Sequence, residues 1–169
     1  MSARVSSGKD SKQNYGTPWN LFLSIQKYFP CFIDLAADDG NHKCPGWFGP
    51  GAGKGFENSF DIHWNLLRDG ENNPWLFLKP EYRKISPWYA KCVHESNLGA
   101  KIVSLVPMDS AAEWFDYVPG NAGIWHLQGR VKFDGAKDSN SKDSALHIWH
   151  PDYVGQFRVW DWKRDKFLI

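Results

Sequence analysis

The strongest constraint in this chain is the run Trp75, Leu76, Phe77, Leu78, which stops abruptly at Lys79, Pro80, Glu81 and Tyr82. Four successive apolar residues without polar alternation suit a strand buried on both faces. The proline that follows forces a rigid turn. Such strands belong to parallel-rich sheets flanked by helices, where ligands bind outside the strands' carboxyl ends. The turn at 79–82 is therefore a candidate site.

The rest of the chain repeats this alternation of strand and helix. Thr17 and Pro18 make a helix entry, one as cap and the other at the first helical position. Leu21, Phe22, Ile25 and Phe29 follow at helical spacing until Pro30 stops the segment. Residues 32–37 read as a short buried strand running into the turn Asp38, Asp39, Gly40, Asn41. Five glycines and Pro50 make residues 46–55 a loop. Residues 60–64, 101–106, 122–127 and 145–149 read as strands, and 156–162 as a last edge strand. Pro87 opens a helix reaching 98–99, and Asp109 caps another over 110–117. Residues 134–143 form a polar loop. This order predicts an α/β domain over 15–169 with a mostly parallel sheet and helices on both faces. Residues 1–14, small, polar and charged, read as a disordered tail.

Composition narrows the function. A formal net charge of +1 supplies no global basic field, so any nucleic-acid contact needs a local patch. Arg83, Lys84, Arg130, Lys132 and Lys137 are the cations available for one. Ten Trp and eleven Phe provide core and rim, with a few rings free to stack on bases. The three cysteines are odd in number and lack a Cys-x-x-Cys pair, which fits a reducing cytosol. No apolar run approaches the ~20 residues of a membrane span, so a soluble cytoplasmic protein is expected. His147 with His150, and His42 with Cys44, lack the partner spacing of a zinc site, and no metal is expected. Gly51, Gly53 and Gly55 around Lys54 lack the spacing of a phosphate loop and read as flexible.

A second candidate site lies about one βαβ unit upstream. Asp34 ends the first strand, with Ala36 and Ala37 behind it. A carboxylate at a strand end beside small residues lets a cofactor approach the backbone closely.

Several segments together resemble the phage-type DNA N6-adenine methyltransferase family, over nearly everything from Tyr15 to Pro151. Tyr15, Gly16, Thr17 and Pro18, followed by Leu21 and Phe22, resemble its opening Thr-Pro segment. Phe32 to Ala37, then Asn41, Lys43 and Cys44, are similar to its Asp-x-x-Ala motif and the stretch after it. Trp47 to Gly51 and Trp64 resemble the lead-in to its catalytic motif. Leu105, Val106 and Pro107 resemble its late strand, and Gly129 to Phe133 its Gly-Arg-x-x-Phe segment. The likeness implies a Rossmann-like fold that binds S-adenosylmethionine through Thr17, Pro18, Asp34, Ala36, Ala37 and Asn41. It also implies DNA as partner, met by Arg83, Lys84, Arg130 and Lys132, in the cytoplasm of a bacterial host. A chain this short leaves little room for a separate target-recognition domain, so loose specificity or a host or phage protein partner is expected.

Lys79 to Tyr82 resemble the family's Asn/Asp-Pro-Pro-Tyr catalytic motif, with two positions changed. In the family, the first side chain accepts a hydrogen bond from the adenine amino group, and the aromatic stacks on the flipped base. Lys79 is a donor only and cannot accept that bond. Its charge also opposes the charge developing on the amino nitrogen, an interaction of about 4 kcal/mol for full unit charges ~4 Å apart at an effective dielectric of ~20, and less for a partial one. The lost acceptor adds roughly 2–3 kcal/mol. Together these imply a rate loss on the order of a thousand-fold. Glu81 either pairs with Lys79 or offers the missing acceptor. The sequence therefore supports a methyltransferase-like protein hampered at Lys79 and Glu81, or an inactive relative serving as a DNA- or protein-binding module.

Overall fold

The computed structural model describes residues 15–169, so the tail expected over 1–14 lies outside the described residues. Helix α1 (Trp19–Gln26) buries Leu21, Phe22 and Ile25 on one stripe, as their spacing requires. Pro18 itself occupies the cap and no side chain caps the helix; Thr17, expected there, is buried instead. Helix α2 (Ile85–Asn97) starts two residues earlier than the sequence indicated. Pro87 sits in its first turn, where a missing N–H costs nothing.

Eight strands form one sheet: β1 (Cys31–Asp34), β2 (Gly46–Trp47), β3 (Trp75–Leu78), β4 (Lys101–Pro107), β5 (Gly123–Leu127), β6 (Ser144–Trp149), β7 (Phe157–Asp161) and β8 (Lys166–Phe167). Their spatial order is β2-β1-β3-β4-β6-β5-β7-β8. The sheet is parallel from β2 through β4 and again between β5 and β7. It is antiparallel where β6 meets β4 and β5, and at β7–β8. The sheet is thus mostly parallel but mixed, because β5 returns to β6 through a loop with no helix to carry a crossover.

Alternate residues of the central strands feed two cores. Phe77, Val103, Leu105, Leu146 and Ile148 join Leu21, Phe22 and Ile25 of α1. Leu76, Leu78, Ile102, Val106 and Trp149 join Ile85, Tyr89 and Cys92 of α2. Burial on both faces explains why β3 and β4 read as continuous apolar runs.

Three expected elements differ. Residues 60–64 are not a strand but lie in two short 3-10 turns, Ser59–Asp61 and Trp64–Leu66. Their backbone donors are taken by side chains: Asn58 accepts from Phe60, and Glu95 of α2 accepts from Trp64 at 2.9 Å and Asn65 at 3.3 Å. The glycine-rich stretch 46–55 begins with β2, which pairs Gly46 with Ile33. The helix expected over 110–117 shrinks to a 3-10 segment, Glu113–Tyr117, capped at Ala112. Asp109, expected to cap it, forms an ion pair with Lys142 instead. Beyond the expected last strand β7, β8 forms the sheet edge after a turn in which Asp165 takes a left-handed φ of 53°. Among the described residues no helix is long and apolar enough to cross a membrane.

The chain leaves β1 toward β2, then crosses back to place β3 on the other side of β1. The crevice beyond the carboxyl ends of β1 and β3 is a topological switch point, where open α/β sheets bind ligands.

Candidate active site

At the end of β1, Asp34 is 3% exposed and its carboxylate accepts two long backbone bonds, from Ala36 and Lys43, each 3.4 Å. Burial pushes its carboxyl up to about 7, opposed by those two N–H groups and by the charges of Lys79 and Lys43. The turn that follows is stitched by Asn41, whose side-chain oxygen accepts from the Asp38 N–H at 2.8 Å. The segment after β2 lies against this turn. Ala37 donates to the Phe48 carbonyl at 3.0 Å, and a Cβ on Gly49 would stand 1.8 Å from the Ala37 oxygen. Gly49 has a φ of 142°, so glycine is required there for both space and backbone.

At the end of β3, Lys79 is half-buried, its ammonium 4.9 Å from the ring centre of Tyr82 and 5.1 Å from that of Phe133. Burial lowers its pKa to about 8, partly offset by the negative charge of Asp34. Pro80 is buried behind it. Tyr82 packs edge-on to Phe133 at 6.2 Å, and its hydroxyl is buried with no hydrogen-bond partner among the described residues. Burial raises that phenol well above its ordinary pKa. Glu81 is exposed, its carboxylate 3.7 Å from the ammonium of Lys84.

The two strand ends open into one cavity of about 380 Å³, within the range of small-molecule sites. On the β1 side its walls include Thr17, Asp34, Ala36, Ala37 and Asn41; on the β3 side they include Lys79 and Glu81. Pro18, Pro80 and Tyr82 are not among its lining residues. Gly49, Ser59 and Trp88 line it as well and were not foreseen from the sequence. Gly49 was hidden in a glycine-rich run. Ser59, which donates to the Leu35 carbonyl at 2.8 Å, carried no motif. Trp88 read only as a residue of α2, although its place just after the 79–82 turn was the signal available.

Arg83 and Lys84 leave the sheet in the turn after β3, and Arg130 and Lys132 in the loop after β5. Both turns emerge from the cavity's edge, since β5 runs parallel to β3 and β4. All four cations are exposed; Lys84 faces Glu81, and Arg130 lies 3.7 Å from Asp143. That loop reaches back to the cavity mouth, where Asp134 pairs with Gly16 and lies 3.7 Å from the ammonium of Lys43.

The histidine motifs have packing roles. His147 is buried, its Nδ1 2.6 Å from the Tyr89 hydroxyl, and His42 stacks on Trp47 at 3.8 Å. Among the described residues, His63, His94 and Glu95 bring possible metal-ligand atoms within 4.8 Å of one another. The Glu95 oxygens already accept from Lys91, His63 and the Trp64 and Asn65 N–H groups.

The family model described as DNA N-6-adenine-methyltransferase (Dam) matches residues 5–158. A protein of Haemophilus phage HP1 (strain HP1c1), described as a DNA N-6-adenine-methyltransferase, is 24% identical over 161 residues, spanning 89% of this chain and 86% of the relative.

Proposed function

This chain belongs to the DNA N-6-adenine-methyltransferase (Dam) family, and we propose that it binds S-adenosylmethionine and DNA while Lys79 and Glu81 hold adenine methyl transfer far below an ordinary rate. The observation that carries this reading is the single cavity that joins Asp34 to Lys79 across the switch point. The sheet order supports a Rossmann-like methyltransferase fold over 15–169.

The residues fit the cofactor. Asp34 is a buried carboxylate that accepts two long backbone bonds, so its oxygens retain acceptor capacity toward a cationic or hydroxyl-bearing ligand. When bound, S-adenosylmethionine supplies a methyl group carried on a cationic sulfur. Ala36 and Ala37 leave room for it beside the backbone, Thr17 walls the near side, and Asn41 fixes the turn.

On the base side, Lys79 replaces an acceptor by a cation packed over Tyr82 and Phe133. As an ammonium it cannot accept a hydrogen bond from an amino group, and it opposes positive charge developing there. Pro80 and Tyr82 keep the shape of the turn. Arg83, Lys84, Arg130 and Lys132 supply phosphate contacts along one edge, and a host or phage protein completes target recognition. The setting is the cytoplasm of a bacterial host.

The Lys79 packing also favours a second reading, in which the fold is kept as a DNA- or protein-binding module without turnover. Transfer of labelled methyl groups to unmethylated DNA separates the two. The variant Lys79→Asn with Glu81→Pro should transfer on the order of a thousand-fold faster than the unaltered protein. A folded, cofactor-binding double variant that gains nothing supports the module reading. An unaltered protein already at full speed refutes the role given to Lys79.

A further inference from the structure

The ring that resemblance assigns to base stacking is not a cavity wall in this chain. Tyr82 lies beneath the Lys79 ammonium and against Phe133, with its hydroxyl buried. Trp88, in the first turn of α2, is half-buried and lines the cavity beside Lys79 and Glu81. It is braced from behind. Phe60 sits 4.3 Å away at 53°, and the fully buried Trp64 stacks at 6.2 Å and 27°. Trp64 is itself pinned by its indole N–H, which donates to the Ser59 carbonyl at 2.8 Å. A rigid indole held in this way is a stacking surface whose order is already provided by the fold.

Glu81 lines the same cavity, and the exposed Lys84 lies 3.7 Å from its carboxylate. An exposed pair of this kind is weak, and a carboxylate offers about four acceptor sites, so Glu81 retains capacity for a further donor. The exocyclic amino group of adenine or cytosine is a donor of that kind, and the thymine edge offers a carbonyl there instead.

We propose that Trp88 is the stacking platform for the target nucleobase in this chain, and that the Glu81 carboxylate accepts a hydrogen bond from that base's exocyclic amino group. The inference rests on the DNA-binding reading above and deepens it: the base subsite has moved from Tyr82 and the first motif position to Trp88 and Glu81. It concerns recognition only.

The test measures binding of the full-length protein to labelled single-stranded thymine-rich oligonucleotides carrying one central adenine, thymine or abasic position. S-adenosylmethionine is titrated in parallel. The unaltered protein should prefer adenine over the abasic position by about tenfold, the usual scale of base–aromatic stacking. Trp88→Ala should bring that ratio to about one, and Trp88→Phe, which keeps a ring, should retain most of it. Glu81→Ala should erase the preference for adenine over thymine and lower the abasic ratio only in part, by the lost hydrogen bond, since the stacking on Trp88 remains. Phe157→Ala, which removes an exposed ring from β7, should change neither. Cofactor affinity should stay within about twofold throughout. Trp88→Leu serves if Trp88→Ala melts early.

Retained adenine preference in Trp88→Ala or Trp88→Leu overturns the inference. So does a loss confined to S-adenosylmethionine affinity, which would give the indole to the cofactor's purine, or a protein that binds cofactor but never distinguishes adenine from an abasic position. A protein that binds neither cofactor nor DNA fails the family-based reading itself, and this inference with it.

Discussion

The turns after β1 and β3 leave neighbouring strands and share one cavity, yet they have fared differently. The first offers a buried carboxylate, two alanines and a tightly stitched loop, all suited to a cofactor. The second has Pro80 and Tyr82 beside an ammonium, Lys79, at the place where the proposed reading calls for an acceptor. The contrast separates what holds a site in shape from what makes it react. Pro80 and Tyr82 are fixed by burial, which a change of chemistry at Lys79 leaves intact.

The comparison breaks most sharply at Gly49, the residue that lets the β2 segment close on the Asp34 turn. Gly49→Ala would drive a methyl group into the Ala37 carbonyl, and should cost roughly 3 kcal/mol or more of stability. A thermal melt indistinguishable from the unaltered protein would remove Gly49 from the cofactor wall.

Asp34→Asn keeps the shape of the first turn and removes its charge. S-adenosylmethionine affinity should fall by roughly 10- to 100-fold, the cost of losing a charged partner, while Lys79→Asn should leave it within about twofold. Equal losses in both variants would mean the halves do not act separately.

The two halves should also show two pH limbs. Asp34 ionises at about 7, so S-adenosylmethionine affinity should drop nearly tenfold for each pH unit below that value. Lys79 loses its proton above about 8, so residual methyl transfer should climb between pH 7 and 9, and Lys79→Asn should lack that limb. The stability signs follow from the same shifts. Asp34 binds its proton more tightly folded than unfolded, so its destabilising contribution grows as pH rises from 3.8 to about 7. Lys79 binds its proton less tightly when folded, so its destabilising contribution grows as pH falls from 10.5 to about 8. Lys79→Met should therefore stabilise the protein at pH 7, and a lower melting temperature there would contradict the burial argument.

The smallest effects lie on the basic edge. Lys132→Ala should weaken DNA binding a few-fold and lower the slope of log affinity against log salt by about 1. An unchanged slope would take Lys132 out of the DNA contact.

Much of the fold was legible because β3 and β4 are buried on both faces, which leaves an uninterrupted apolar signal at 75–78 and 101–107. The turns at 59–66 were not, because their backbone is satisfied by Asn58 and by Glu95, a residue about thirty positions away on α2. Strand β2 is two residues long and rests on pairing with β1, a tertiary cause that local composition hides. Of the residues that line the cavity, Asp34 and Lys79 were legible from their places at strand ends. Trp88 was not, because whether an indole faces core or cavity depends on what braces it, here Phe60 and Trp64.

The most direct test is calorimetric titration of S-adenosylmethionine into the unaltered protein at pH 8, where Asp34 is ionised. Micromolar affinity, matched by Lys79→Asn, is the result predicted for an intact cofactor half beside an altered base half. A well-folded protein that takes up no heat from the cofactor would contradict the account.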